Sequence, residues 1–126
     1  METFINTQDT LINNGLVLLP FLVGTTFLLV GFLMKKRPPK TINHLYGYRT
    51  KRSMKDQKSW DFAQRYSAKE MIQAGLYLLA VSIIGWFIHL PEMVTYPLGI
   101  GIMVVLMILM FVRTEKALKE IEKKSD

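Results

Sequence analysis

The residues whose types could do chemistry lie in one polar stretch, residues 43–60, which reads N-H-L-Y-G-Y-R-T-K-R-S-M-K-D-Q-K-S-W. Two tyrosines flank Gly47, and Arg49 follows them. An arginine donates several hydrogen bonds in a fixed fork to carboxylate, phosphate or helix-end carbonyl oxygens. The stretch therefore has two interpretations. Either the loop folds under a helix bundle, with Arg49 tying it to the helix ends, or it forms a recognition surface.

The composition argues against a catalytic site and against a metal site. The chain has no cysteine, which excludes disulfides, thiolate nucleophiles and cysteine-ligated metals. His44 and His89 are the two histidines, and neither is accompanied by the convergent ligands of a metal site or the nucleophile of a catalytic pair. We therefore expect no enzymatic activity, no metal and no cofactor.

Three blocks without any charged residue must position this stretch: residues 10–34, 71–91 and 93–112. A bilayer core of about 30 Å requires roughly 20 apolar residues of helix, and each block meets that length. The sequence predicts an all-α membrane protein with one domain, residues 1–126, and three transmembrane helices at about residues 11–34, 71–90 and 96–112. Residues 35–70 form the motif-bearing loop, and residues 113–126 form a tail.

The distribution of positive charge predicts the orientation in the membrane. All 16 Lys and Arg residues fall within residues 35–69 or 113–124. Because cationic segments are retained on the cytoplasmic side, we expect the N-terminus outside and both basic segments, with the C-terminus, inside. The basic loop is expected to lie against anionic lipid headgroups at the inner face, and no nucleic acid partner is expected.

The loop between the first two spans has its own start and stop signals. Pro38 and Pro39 should end the first helix, because proline lacks the N–H and restricts the preceding residue. A new helix should begin near residues 53–56, capped either by Ser53 in a capping box or by Asp56 itself. Residues 57–70 are predicted to form an amphipathic helix at the inner interface. It leads directly, or through a bend, into the second span.

The stretch resembles the signature of the SdpI family of bacterial membrane proteins, whose namesake is an immunity protein against a secreted peptide toxin of the cannibalism type. The resemblance is carried by Pro39, Asn43, Tyr46-Gly47-Tyr48-Arg49-Thr50, Ser53-Met54 and Trp60. In the family pattern an Asn often follows the Trp by four residues, and Gln64 stands there in this chain. The candidate motif or partner-binding residues are Asn43, Tyr46, Gly47, Tyr48, Arg49, Thr50, Ser53, Trp60 and Gln64.

The resemblance implies a short, three-helix member of the family: a non-enzymatic, multi-pass protein of the bacterial plasma membrane. Such a protein would protect the cell against a membrane-active peptide toxin, or signal the toxin's presence to a cytoplasmic regulator. An alternative is a small transporter or resistance exporter, although the uncharged blocks lack the embedded carboxylate that usually binds a coupling ion. A membrane enzyme that acts on lipid is the least favoured of the candidate functions. Three thin helices bury little surface alone, which is compatible with a homo-oligomer.

Overall fold

The computed structural model describes residues 11–125, without the side chain of residue 125. It contains three long helices joined by two connections, and residues 11–13 before them are also helical. Helix α1 spans Gly15–Lys36, α2 spans Gln57–Trp86 and α3 spans Glu92–Ser125. All three are long and apolar enough to cross a membrane, and residues 11–125 contain no strand. The predicted all-α class with three spanning helices is confirmed. The N-terminal lead, residues 1–10, and residue 126 lie outside the described residues.

Helix α2 is one continuous helix of 30 residues, about 45 Å long. The amphipathic segment predicted at residues 57–70 is its first half, so it leads directly into the second span without a bend. Asp56 is the N-cap, and its carboxylate accepts a hydrogen bond from the Ser59 N–H at 2.7 Å. Of the two predicted caps, Asp56 is therefore the one that forms.

Helix α3 begins earlier than the predicted third span. The third span was expected at about residues 96–112, whereas the helix starts at Glu92. The N–H groups of Val94 and Thr95 both donate to the Pro91 carbonyl, at 2.9 and 3.0 Å. Pro97 lies in the second turn of this helix, where it lacks the N–H that would otherwise donate to the Met93 carbonyl.

Helices α1 and α2 approach backbone to backbone. A Cβ atom on Gly24 would lie 3.0 Å from the Gly75 carbonyl oxygen, and one on Gly75 would lie 2.9 Å from that of Gly24. Two turns further along, Gly31 lies against Ala68 and Ile72 of α2. Small residues at such a seam allow the close van der Waals packing that holds membrane helices together.

Helix α3 packs less completely, and most of its large apolar side chains from Leu98 to Val112 are exposed. In a bilayer these side chains face lipid. Its buried positions lie toward the two helix ends: Thr95 near the start, and Thr114 and Leu118 near the finish. The tertiary links that fix α3 are therefore concentrated at the two ends of the bundle.

The side chains of Asn14 and Thr95 join the helices at the end of the bundle that holds the start of α1. Asn14 caps α1 by accepting from the Leu16 N–H at 3.0 Å, and its amide donates to the carbonyls of Gly85 (2.9 Å) and Ile88 (3.2 Å). The Gly15 N–H donates to the Thr95 hydroxyl at 3.0 Å. This cluster brings the adjoining ends of all three helices together. We call the other end, with residues 37–56 and 113–125, the basic end.

Candidate functional site

The motif loop, residues 37–56, connects α1 to α2 at the basic end and is folded by its own polar side chains. The Asn43 side-chain oxygen accepts from the N–H groups of Leu45 (2.9 Å) and Tyr46 (2.7 Å), while its amide donates to the Thr41 carbonyl at 3.0 Å. The Tyr46 hydroxyl donates to the Arg37 carbonyl at 3.1 Å. These bonds close a turn of the kind that asparagine favours and fasten it to the end of α1.

Gly47 and Gln64 form the centre of the loop. Gln64 is 1% exposed, accepts from the Tyr48 N–H at 2.7 Å and donates to the Tyr48 carbonyl at 2.8 Å. Gly47 has φ +108, and a Cβ atom there would meet the Gln64 side-chain oxygen at 2.5 Å and Pro39 at 2.7 Å. Only glycine both adopts this backbone conformation readily and fits here without a Cβ atom. The glycine between the two tyrosines therefore allows the loop to lie directly against Gln64.

A second turn follows at residues 50–54. The Thr50 N–H donates to the Ser53 hydroxyl at 2.8 Å, and the Ser53 N–H donates to the Thr50 hydroxyl at 3.1 Å. The Met54 N–H also donates to the Thr50 carbonyl at 3.0 Å. Ser53 is fully buried. Its predicted role as a helix cap is thus replaced by a reciprocal bond with Thr50 that holds the last part of the loop.

Trp60 anchors the first part of the loop to α2. Its side chain is 0% exposed, and its indole N–H donates to the Pro39 carbonyl at 2.7 Å. Since a buried indole N–H requires a partner, Trp60 and Pro39 fix each other's positions. The two residues belong together structurally, although 21 positions separate them in sequence.

Tyr48 and Arg52 connect the loop to α3. The Tyr48 hydroxyl donates to a carboxylate oxygen of Glu115 at 2.8 Å, and Arg52 pairs with Glu115 at 3.3 Å and with Glu122 at 3.4 Å. The Tyr48 ring also packs against Phe111, with ring centroids 6.3 Å apart. Burial, and secondly the hydrogen bond to the Glu115 carboxylate, raise the pKa of Tyr48 well above its usual range. Tyr48 therefore stays protonated and acts as a donor.

Arg49 does not tie the loop to the helix ends, and this interpretation from the sequence is wrong. Its side chain is exposed and makes no ion pair or hydrogen bond within residues 11–125. Arg52, three residues later, performs that role instead.

Two residues of the site were missed in the sequence. The spacing of Glu115 and Glu122 could have indicated a pair of acidic partners for the loop, since residues seven apart lie on one face of a helix. Asn14 at the opposite end was also missed, although an Asn before a Gly and an apolar run is a typical N-cap.

The outward side of the motif loop carries cationic and apolar side chains. His44, Arg49 and Lys51 are exposed, and Leu45 is 93% exposed. A single exposed apolar side chain is ordinary on a protein surface, so the distinctive feature of this side of the loop is its positive charge. Among the described residues, no three His, Asp or Glu side chains converge where a metal could bind. The arrangement can bind another molecule through charge and apolar contact.

One ion pair lies where the uncharged blocks end. Glu70 directly precedes residues 71–91, Arg113 directly follows residues 93–112, and the two pair at 3.3 Å. The Glu70 side chain is 10% exposed. The pair shows that the uncharged parts of α2 and α3 end at the same level.

Comparison with known proteins gives one family and one curated relative. Residues 40–118 match the family model of the SdpI/YfhL protein family. The uncharacterized protein YfhL of Bacillus subtilis (strain 168) is 37% identical over 97 residues, which cover 76% of this chain and 82% of the relative. No solved structure gives a significant match. The family match covers most of the motif loop, all of α2 and α3 as far as Leu118.

Proposed function

The chain is a membrane protein that belongs to the SdpI/YfhL family, and from this premise we propose that it acts by contact, without enzymatic chemistry, against a membrane-active peptide toxin. It protects the cell from the toxin, or signals the toxin's presence to a cytoplasmic regulator. The proposal rests on the resemblance of residues 43–60 to the signature of toxin-immunity proteins and on the geometry of the motif loop.

The observation that carries the proposal is the division of the loop into a buried and an exposed side. Gln64 and Trp60 hold the loop through bonds at 2.7–2.8 Å. Leu45 and Arg49 are left outside, on a backbone whose position is fixed. Because the exposed side chains lose little further backbone entropy on binding, a rigid loop of this kind favours protein contact.

The orientation is part of the proposal. The Lys and Arg distribution supports an outside N-terminus and a cytoplasmic basic end in the bacterial plasma membrane. A secreted toxin arrives from the other face, so the motif loop would meet a cytoplasmic regulator, or the toxin once it reaches the inner leaflet. Fusing a reporter active only in the cytoplasm to the C-terminus tests this orientation. An inactive fusion that is present in the membrane would contradict it.

Toxin challenge tests the function itself. A sensitive strain expressing the chain is exposed to the secreted peptide toxin to which the family's namesake confers immunity, and survival is compared with that of a strain carrying the empty vector. We expect higher survival with the chain. Transcript profiling after the same challenge tests whether the chain signals the toxin's presence to a regulator. Unchanged survival together with an unchanged transcript profile, despite normal protein levels in the membrane, would overturn the proposal.

A further inference from the structure

A cavity of about 380 Å³ lies between the start of the motif loop and the first turns of α2. Pro38, Pro39 and Lys40 form one wall, and Gln57, Asp61 and Arg65 belong to the other. The volume of the cavity is within the range of pockets that hold small organic ligands.

Both walls are held in place by hydrogen bonds. Trp60 binds the Pro39 carbonyl at 2.7 Å, and the Gln57 amide donates to the Lys40 carbonyl at 2.6 Å. The same Gln57 amide donates to the Asp61 carboxylate at 2.8 Å. The backbone carbonyls and the amide that face this region are therefore already paired, and the shape of the cavity does not depend on a ligand.

Two cationic side chains at the cavity remain unpaired. Within residues 11–125, neither the Lys40 ammonium nor the Arg65 guanidinium makes an ion pair or donates a hydrogen bond. Asp61 and Arg65 have the i, i+4 spacing and the acid-first order that favour an ion pair on a helix, yet their charged atoms are more than 4.0 Å apart. The carboxylate is bonded to Gln57 instead, which leaves Arg65 available to an anion.

The position of Arg65 along α2 indicates where that anion would come from. Arg65 precedes Met71, the first residue of the second uncharged block, by six residues, or about 9 Å of helix. The headgroup zone of a bilayer extends about 5–8 Å beyond the hydrocarbon core on each side, so a flexible arginine at this height reaches it. Phosphate oxygens are the anions of that zone, and a guanidinium binds them through two parallel hydrogen bonds.

We propose that this cavity is a binding site for a phosphate ester, held by Lys40 and Arg65 and supplied by a phospholipid headgroup. The site differs from the general attraction between a basic loop and an anionic membrane, because it uses two named cations in a preformed cavity. Binding there would attach the start of the motif loop to the membrane surface and would keep α2 at a fixed depth.

Native mass spectrometry of the full-length, delipidated protein tests the proposal. Three probes are added separately: short-chain phosphatidylglycerol, glycerol 3-phosphate, and a short-chain diacylglycerol that lacks phosphate. We expect one phosphatidylglycerol to bind tightly, with about a tenfold loss of affinity in the Lys40→Gln/Arg65→Gln double variant. The matched control is Lys116→Gln/Lys119→Gln, which removes the same charge from exposed residues of α3 and should bind as the unchanged protein does.

Each result bears on one part of the proposal. Equal binding by the two double variants would overturn the site, since it would show attraction by net charge alone. Equal binding of diacylglycerol would overturn the role of phosphate. Binding of glycerol 3-phosphate as tight as that of the lipid would support the phosphate site and overturn the lipid as its source. Thermal unfolding of each variant, compared with the unchanged protein, verifies that a loss of binding is not a loss of folding.

Discussion

The buried and exposed halves of the motif loop differ in what their residues do. The buried half, defined as Gly47, Tyr48 and Ser53 of the loop together with Trp60 and Gln64 of α2, is held by hydrogen bonds and, at Gly47, by close packing. The exposed half, defined as His44, Leu45, Arg49 and Lys51, projects away from it. Most of the residues that make the stretch resemble a family signature therefore build the loop. Arg49 is the exception, a signature residue without a structural partner, and it is the strongest candidate for contact with another molecule.

The largest expected effect on stability comes from Gly47→Ala. The added Cβ atom would meet both Gln64 and Pro39, and φ +108 disfavours any residue other than glycine. We expect a loss of about 3 kcal/mol in the free energy of unfolding from strain and overpacking combined. Thermal unfolding in detergent measures it. The matched control is Gly101→Ala in α3, where an added Cβ atom has no neighbour within 4 Å. Equal midpoints for the two variants would remove Gly47 from the buried half.

A smaller loss is expected for Trp60→Phe, which keeps an aromatic ring but removes the indole N–H. The Pro39 carbonyl then loses its partner in a buried environment, at a cost of about 2 kcal/mol. The control is the chain's other tryptophan, Trp86, which donates no hydrogen bond within the described residues. Trp86→Phe should shift the unfolding midpoint much less. If the two substitutions cost the same, the bond to Pro39 would have no structural role.

The link to α3 contributes less still. Tyr48→Phe removes the bond to Glu115, while Arg52 continues to pair with that carboxylate, so we expect a loss of about 1 kcal/mol at neutral pH. Burial raises the folded-state pKa of Tyr48 above the ordinary value of 10.0. The stabilisation is then complete below pH 10 and falls as the pH rises above 10, where the unfolded chain releases the proton first.

Unfolding midpoints measured between pH 8 and 11 test this sign. The unchanged protein should lose stability above pH 10 more steeply than the Tyr48→Phe variant. Tyr77→Phe, an exposed tyrosine of α2, is the control and should retain the steep decline. A Tyr48→Phe variant with the same steep decline as the unchanged protein would contradict the role given to the Tyr48 hydroxyl.

The helices of the fold were predictable because their signal is local. Uncharged runs of sufficient length determine the three spans, and the N-cap at Asp56 was one of two predicted positions. The first residues of α3, 92–95, were not predicted as helix, because they lie between the charged Glu92 and Pro97, whose ring restricts a helix. The glycine seam of α1 and α2 depends on which turns of the two helices meet, and a local sequence pattern does not show that.

The site was predictable in its location but not in the role of each side chain. Residues 43–60 and Gln64 do come together, yet one of the two interpretations of the sequence gave Arg49 the tie between loop and helices, which Arg52 makes. Two arginines three positions apart are chemically equal, and the turn between Thr50 and Ser53 determines which one faces α3. The Tyr48 bond to Glu115 joins residues 67 positions apart. Such tertiary contacts depend on how helices pack, which no local pattern records.

The most direct test of the division between the two halves is the Arg49→Ala variant, measured for both stability and protection. Because Arg49 is exposed and unpaired within the described chain, we expect its unfolding midpoint and its amount in the membrane to match the unchanged protein, within about 0.5 kcal/mol. Survival under toxin challenge should nevertheless be lost, while Lys119→Ala, another exposed cation, should protect normally. Normal survival with Arg49→Ala would contradict the account, and so would a loss of stability comparable to that of Gly47→Ala.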